Sequence, residues 1–289
     1  MIAASYERPG RVASTWRFLA TPGWGRRIGL AGIVLICLIA AIGPLLTPYS
    51  PTQLDLASTL QSPSWQHPFG TDEFGRDVLT RVVVAARVDL QIGFFGVTIP
   101  LVIGTAVGLV AGYFGGVFDG ITGRVIDVFT AFPFFVIVIA IVAMLGPGLR
   151  NLYIAIAVVS WVAYARIVRG QTLSIKTREY ALAARGLGYG NGRIMFRHVL
   201  PNVIAPAFVF AMSDFVLDIL VGASLGFFGL GVQPPQAEWG VMIADGRDFM
   251  STAPWLVIFP GLAIAVVGFF VSLFGDGLAD YVRRVDVTT

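Results

Sequence analysis

The sequence predicts an all-α integral membrane protein with six membrane-spanning helices. Three observations carry that prediction. First, 56% of the 289 residues are hydrophobic and 13% charged, with a mean hydropathy of +0.79. An ordinary soluble domain carries about 25% charged residues, so a soluble fold of this length lacks the charge to cover its surface. Second, six apolar runs approach the ~20 residues that a helix rising ~1.5 Å per residue needs to cross ~30 Å of hydrocarbon. Third, these runs are apolar on all sides instead of alternating with period two, which excludes a β-barrel. A disulfide scaffold is excluded because Cys37 is the single cysteine.

The elements follow in order. Residues 1–27 form a basic lead-in, with Arg8, Arg11, Arg17, Arg26 and Arg27 against one acid, Glu7. The first span, 28–46, runs from Ile28 to Leu46. Its lead-in and apolar core are both long for a cleaved signal, so it reads as a retained helix, with Cys37 as a small buried apolar residue. Residues 47–89 form an extracytoplasmic segment, in which Val78 to Asp89 has the pattern of an interfacial amphipathic helix. A five-helix core, 90–280, holds the remaining spans: Leu90 to Phe114, Val125 to Leu145, Leu152 to Val168, Val203 to Leu230, and Trp255 to Phe274. Glycines near the end of the fifth predict that it stops early and re-enters or tilts. Residues 281–289 are a tail.

Charge sets the expected orientation. Fifteen of the 20 lysines and arginines fall on the side that carries both termini and the loop 169–201. The opposite segments hold the acids Asp55, Asp72, Glu73, Asp77, Asp89, Glu238, Asp245 and Asp248. The positive-inside rule therefore places both termini and that loop in the cytoplasm.

Within the loop, Tyr180, Ala183, Ala184 and Leu187 follow the i, i+3, i+4, i+7 spacing of one helical face. Thr177 is placed to cap its start, Glu179 suits the first turn, and Gly188 suits a left-handed stop. A second short amphipathic helix is predicted from Arg193 to Leu200, ending before Pro201. By pattern alone, the first helix serves equally as a contact with another protein and as packing on its own bundle. A basic surface for anionic lipid is a further reading.

These residues carry a resemblance. Glu179 to Gly188 and His198-Val-Leu-Pro201 resemble the EAA loop of ABC importer permeases, the coupling helix that docks into a cleft of the ATP-hydrolysing subunit. Ala183, Ala184 and Gly188 stand at the family's alanine, alanine and glycine positions, and Leu200-Pro201 at its Leu-Pro. Leu182 occupies the position named for glutamate, and His198 replaces the usual isoleucine. His67-Pro-Phe-Gly-Thr-Asp-Glu-Phe-Gly-Arg-Asp77, Phe228-Gly-Leu-Gly-Val-Gln-Pro-Pro235, Trp239-Gly240, Asp245-Gly-Arg247, Phe259-Pro-Gly-Leu-Ala263 and Gly275-Asp-Gly-Leu278 are similar to the second permease of dipeptide and oligopeptide importers. The resemblance implies the type I importer permease fold and a coupling loop built from Glu179, Tyr180, Ala183, Ala184, Arg185, Gly188, Leu200 and Pro201. It implies a homologous second permease, two ABC ATPase subunits that bind ATP and Mg, an extracytoplasmic peptide-binding protein and a peptide cargo. An importer of nickel chelate or glutathione, and an ion-coupled secondary transporter, remain as alternatives.

The chain itself holds no nucleotide site. A P-loop needs Gly-x-x-x-x-Gly-Lys-[Ser/Thr], yet the single lysine, Lys176, follows Ile175 where the second glycine should stand. His67 and His198 fall on opposite sides of the membrane, so they share neither a metal nor a proton. His67 reads as a solvated loop residue and His198 as a cytoplasmic interface residue. No catalytic, cofactor-binding or metal-binding set is expected, and nucleic acid is not an expected partner; membrane lipid is.

Two carboxyl groups lie within a span. Asp214 and Asp218, at i, i+4, share one face of the fifth helix, and a charge at that depth costs about 2.5–3.5 kcal/mol on insertion scales. Lining of the passage and pairing with an arginine are the two readings. The glycines and prolines of Phe227 to Pro235 predict an interrupted helix end, suited to an outer gate, a surface for a delivery protein or a simple turn. Asp72, Arg76, Asp77, Gln233 and Trp239 are the candidate contacts for a binding protein or gate. Local capping and ion pairing, including Asp77 with Arg81, compete with that role.

Overall fold

The computed structural model describes residues 23–287. The predicted N-terminal cations Arg8, Arg11 and Arg17 lie outside the described residues. Among the described residues nine helices set the architecture: α1 (Trp24–Leu46), α2 (Val78–Phe114), α3 (Gly116–Thr130), α4 (Phe134–Leu145), α5 (Leu149–Ile175), α6 (Glu179–Gly186), α7 (Leu200–Phe227), α8 (Trp239–Gly246) and α9 (Trp255–Val287). Short turns of 3-10, α and π helix join them, and no regular strand occurs among the described residues. Among the described residues five helices are long and apolar enough to cross a membrane, or six when the bent pair α3–α4 counts as one span.

Three helix boundaries differ from the sequence expectation, each for a physical reason, and the burial of one residue differs as well. The third span is broken: α3 and α4 meet at 87° across Ala131-Phe132-Pro133. Proline disfavours the helical conformation of the residue before it, and both halves stay apolar, so hydropathy reads them as one run. The expected interfacial helix Val78–Asp89 is instead the first third of a continuous 37-residue helix, α2. Val78, Val82, Ala85 and Ala86 are buried there in a core with Trp239, Met242 and Leu256. The predicted helix from Arg193 to Leu200 does not stop at Pro201. Asn191–Ile194 passes through a π-helical turn, Met195–Val199, into α7, where Pro201 sits in the first turn and its missing N–H costs nothing. Cys37, expected to be buried, is exposed on α1.

The bundle is held by close backbone approach on one side and by arginine on another. Gly104, Gly108 and Gly112 form a stripe of α2 facing α5. A Cβ on Gly108 would lie 2.5 Å from the Ala165 carbonyl oxygen, so only glycine lets the two helices meet. On the far side α1 contains Pro44, and Arg87 of α2 donates to the carbonyls of Ala40 (2.5 Å) and Ala41 (2.6 Å). At the end that carries α6, Arg169 of α5 forms a two-pronged ion pair with Asp119 of α3 (2.5 and 2.9 Å).

Candidate functional site

Three places gather the residues singled out in the sequence. The first is the elbow between α5 and α7. Lys176, the near miss for a phosphate loop, donates to the carbonyl of Gly112 (2.7 Å) and so caps the C-terminal end of α2, where carbonyls lack helical donors. Thr177 does not cap α6. Its hydroxyl turns back to the Ser174 carbonyl (3.0 Å), and Arg178 takes the N-cap position without a side-chain cap. Gly188 does end the helix in the left-handed region, at φ +77°.

The elbow is fixed to the bundle from within. Ala181 and Ala184 are buried, and Ala184 packs with Tyr113, Ile175, Ile194, Val199 and Val203. Tyr113 also donates to Asn191 (3.0 Å). Of the predicted face, Ala184 turns inward, while Tyr180, Ala183 and Leu187 stay exposed beside Leu182. Leu187 is 73% exposed. Glu179 and Arg185 flank this apolar surface on the solvent side, Leu200 is half-buried and Pro201 exposed. His198 stacks on Tyr189 at 6.0 Å between ring centroids, so it is a packing element of the elbow.

The second place is the segment at the opposite end of the bundle. Asp72 accepts from the backbone N–H groups of Phe74 and Arg76 (both 2.9 Å) and from Arg76 Nε (2.6 Å). Arg81 reaches the same carboxylate at 3.5 Å. Asp77 does not pair with Arg81: one oxygen meets His67 Nδ1 (2.9 Å), and the other accepts from Thr80 N and Oγ1, capping α2. His67 is therefore buried, not solvated. Trp239 is 1% exposed, with its backbone N–H on Asp89 (3.2 Å) and its indole on the Val82 carbonyl (3.1 Å). Asp72, Arg76, Asp77 and Trp239 thus knit their own chain together, and Gln233 alone of the five candidates is exposed. Burial raises the Glu238 carboxyl above the usual range, although Gly240 N and Val241 N donate to it at the start of α8. Trp65, which no motif singled out, stands fully exposed on this segment.

The third place is a cavity of about 410 Å³ between the α3–α4 break, α5 and α7. Its walls include Phe129, Phe132, Phe134 and Phe210, with Asp214 and Arg166 as its charged groups. Asp214 is held by the Tyr164 hydroxyl, which donates to Oδ2 at 2.8 Å. Asp218 is not part of this lining. It is buried against Gly96 of α2, and neither of its oxygens has a hydrogen-bond donor among the described residues. Neither carboxyl forms an ion pair among the described residues, so the arginine-pairing reading finds no partner among them. Sequence reasoning missed Ser160, Tyr164 and Arg166. The spacing of Ser160, Ala163 and Arg166 at i, i+3, i+6 was the available signal.

Comparison with known proteins places this geometry. Residues 104–284 match the model of binding-protein-dependent transport system inner membrane components. Residues 26–63 match the N-terminal transmembrane domain of oligopeptide transport permease C. The chain is 45% identical to the dipeptide transport system permease protein DppC of Alkalihalophilus pseudofirmus, over 92% of this chain and 89% of that one. It is 43% identical to the di/tripeptide transport system permease protein DppC of Pseudomonas aeruginosa, covering 87% and 85%. The glutathione transport system permease protein GsiD of Pectobacterium atrosepticum is 38% identical, covering 94% and 92%. Among solved structures, an amino acid ABC transporter crystallised with histidines shares the fold, with a TM-score of 0.52 at 20% identity over 71% of this chain and 94% of that one.

Proposed function

The chain belongs to the inner membrane components of binding-protein-dependent transport systems, and from that premise we propose that it is the peptide-translocating permease of an importer powered by separate ATPase subunits. It is a multi-pass membrane permease of the ABC peptide and glutathione type. The finer reading is import of dipeptides and short oligopeptides across the cytoplasmic membrane by alternating access, beside a homologous second permease.

The observation that carries the mechanism is the exposed apolar face of α6 on an elbow packed rigidly into the bundle. Tyr180, Ala183 and Leu187 offer a small docking surface, and Ala183 lets another backbone approach closely. Behind that surface, Ala184, Tyr113 and Val203 tie α6 to α2 and α7. A push on the elbow therefore moves helices that line the passage. ATP and Mg act on the partner subunits, in keeping with the lack of a phosphate loop here. The basic composition of this side supports a cytoplasmic location for the elbow and both termini. At the other end, Asp72, Arg76, Asp77 and Trp239 act as the scaffold that presents Gln233 and Trp65 to a peptide-delivery protein. Asp214 marks the passage, while Asp218 is buried against α2.

Glutathione is itself a short peptide, and the 38% identity to a glutathione permease favours it as a second cargo. The test is uptake of labelled dipeptide and labelled glutathione by proteoliposomes holding both permeases and both ATPases, with delivery protein added. Dipeptide accumulation that requires ATP, the ATPase subunits and this chain is expected. Glutathione uptake without dipeptide uptake would reject the cargo assignment, and uptake without the ATPases would reject the mechanism.

A further inference from the structure

The cavity between the α3–α4 break, α5 and α7 has a chemistry that the fold does not require. A packed interior avoids an ionisable group without an opposite charge and avoids an unmet hydroxyl. Here Asp214 is 7% exposed, and only its Oδ2 has a hydrogen-bond donor, Tyr164, among the described residues. Ser160, 5% exposed, lines the same cavity with an Oγ that has no partner among the described residues. Arg166 brings an opposite charge to the lining, and it has no ion pair among the described residues. Between them the walls are aromatic.

An anion, a cation and apolar walls around about 410 Å³ complement a small molecule that carries both charges and an apolar body. We infer that this cavity is a subsite for the free ends of a short zwitterionic peptide, resting on the peptide-import reading above. The ammonium group lies on Asp214, with Ser160 as an additional acceptor, and the carboxylate lies on Arg166. The two residues belong to facing helices. Tyr164 fixes Asp214, and Arg166 lines the same cavity from α5. An extended dipeptide spans about 7 Å, a length that a guanidinium on a flexible stem accommodates from there. The phenyl groups of Phe129, Phe132, Phe134 and Phe210 take side chains without regard to sequence. A permease fed by a delivery protein needs that tolerance: it reads the two ends that all free peptides share.

The test uses the assembled importer with Cys37 replaced by alanine and Phe132, which is 59% exposed, replaced by cysteine as a reporter. Maleimide labelling of Phe132→Cys is followed with Ala-Phe and with its N-acetylated, C-amidated counterpart at equal millimolar concentration. Ala-Phe is expected to slow labelling at least about threefold and the blocked peptide to leave it unchanged. Asp214→Asn, and separately Arg166→Gln, are expected to abolish the protection. Arg166 is exposed, so its replacement leaves packing intact and keeps the question answerable if Asp214→Asn fails to assemble. Equal protection by both peptides, protection by neither, or protection that survives Arg166→Gln would overturn the subsite while ATP-driven Ala-Phe uptake still upheld the import reading. Absence of that uptake in the unaltered complex would overturn the import reading, and the subsite with it.

Discussion

Arg87 supplies the Ala40 carbonyl with the donor that Pro44 denies it within its own helix. Proline at position 44 has no N–H for the Ala40 carbonyl, and its ring crowds the preceding turn. Arg87, 43 positions along the chain on α2, donates Nε to Ala40 and a terminal nitrogen to Ala41 at 2.5 and 2.6 Å. The proline of α1 and the seat of α1 on α2 are therefore one device.

This relationship predicts a coupled pair. Arg87→Ala strands the Ala40 carbonyl in an apolar setting and should destabilise the α1–α2 contact by about 1–3 kcal/mol, the cost of one unmet group. Pro44→Ala restores the helical donor, so in that background the cost of Arg87→Ala should fall by at least half. A double-mutant cycle on thermal unfolding of the purified complex measures the difference. Equal losses in both backgrounds would break the link.

A second prediction concerns pH at the opposite end of the bundle. Burial raises the carboxyl of Asp245, against the pull of Arg81 and Arg76 and with the push of Asp72. Burial, with repulsion from Asp72 and Asp245, likewise raises Glu73. A carboxyl raised in the folded state binds its proton more readily there than in the unfolded chain. Stability from this pair is therefore greatest at acid pH, falls as pH rises from the ordinary carboxylate range near 4 through the raised values, and is flat above them. Asp245→Asn should flatten that slope and raise Tm at neutral pH. Unfolding followed from pH 4 to 8 shows it, and an unchanged slope contradicts it.

A third prediction follows from the exposed face of α6. Ala183→Glu places a charge where another backbone must come close, without touching the buried Ala181 and Ala184. ATP-driven peptide uptake by the reconstituted complex should fall by more than about tenfold, while Tm stays within the ±0.5 kcal/mol equivalent of a surface substitution. Loss of Tm together with uptake would make Ala183 a packing residue.

Much of this architecture is legible in the sequence because hydropathy is a local property. The apolar runs of α1, α5, α7 and α9, the basic elbow and the left-handed turn at Gly188 all show in short windows. What escaped depends on partners far along the chain. Val78 to Asp89 has the alternating face of a surface helix. Trp239, about 150 positions later, closes over that face by donating to Asp89 and Val82. His67 looks solvated until Asp77 folds onto it. The cavity was half visible: two acids in a span flagged α7, but Tyr164 meets Asp214 across 50 positions, and no window holds both. The same limit hid Lys176 as the cap of α2.

In the proposed mechanism, force from the ATPases enters the molecule at the elbow that carries Leu187. In a complex whose native Cys37 is replaced by alanine, Leu187→Cys should form a cross-link to an ATPase subunit with a short bifunctional thiol reagent. The yield should change when ATP is bound. In sealed right-side-out vesicles the same cysteine should resist a membrane-impermeant maleimide. Labelling of Leu187→Cys from outside, or a complex that cross-links to no ATPase yet still imports peptide, would contradict it.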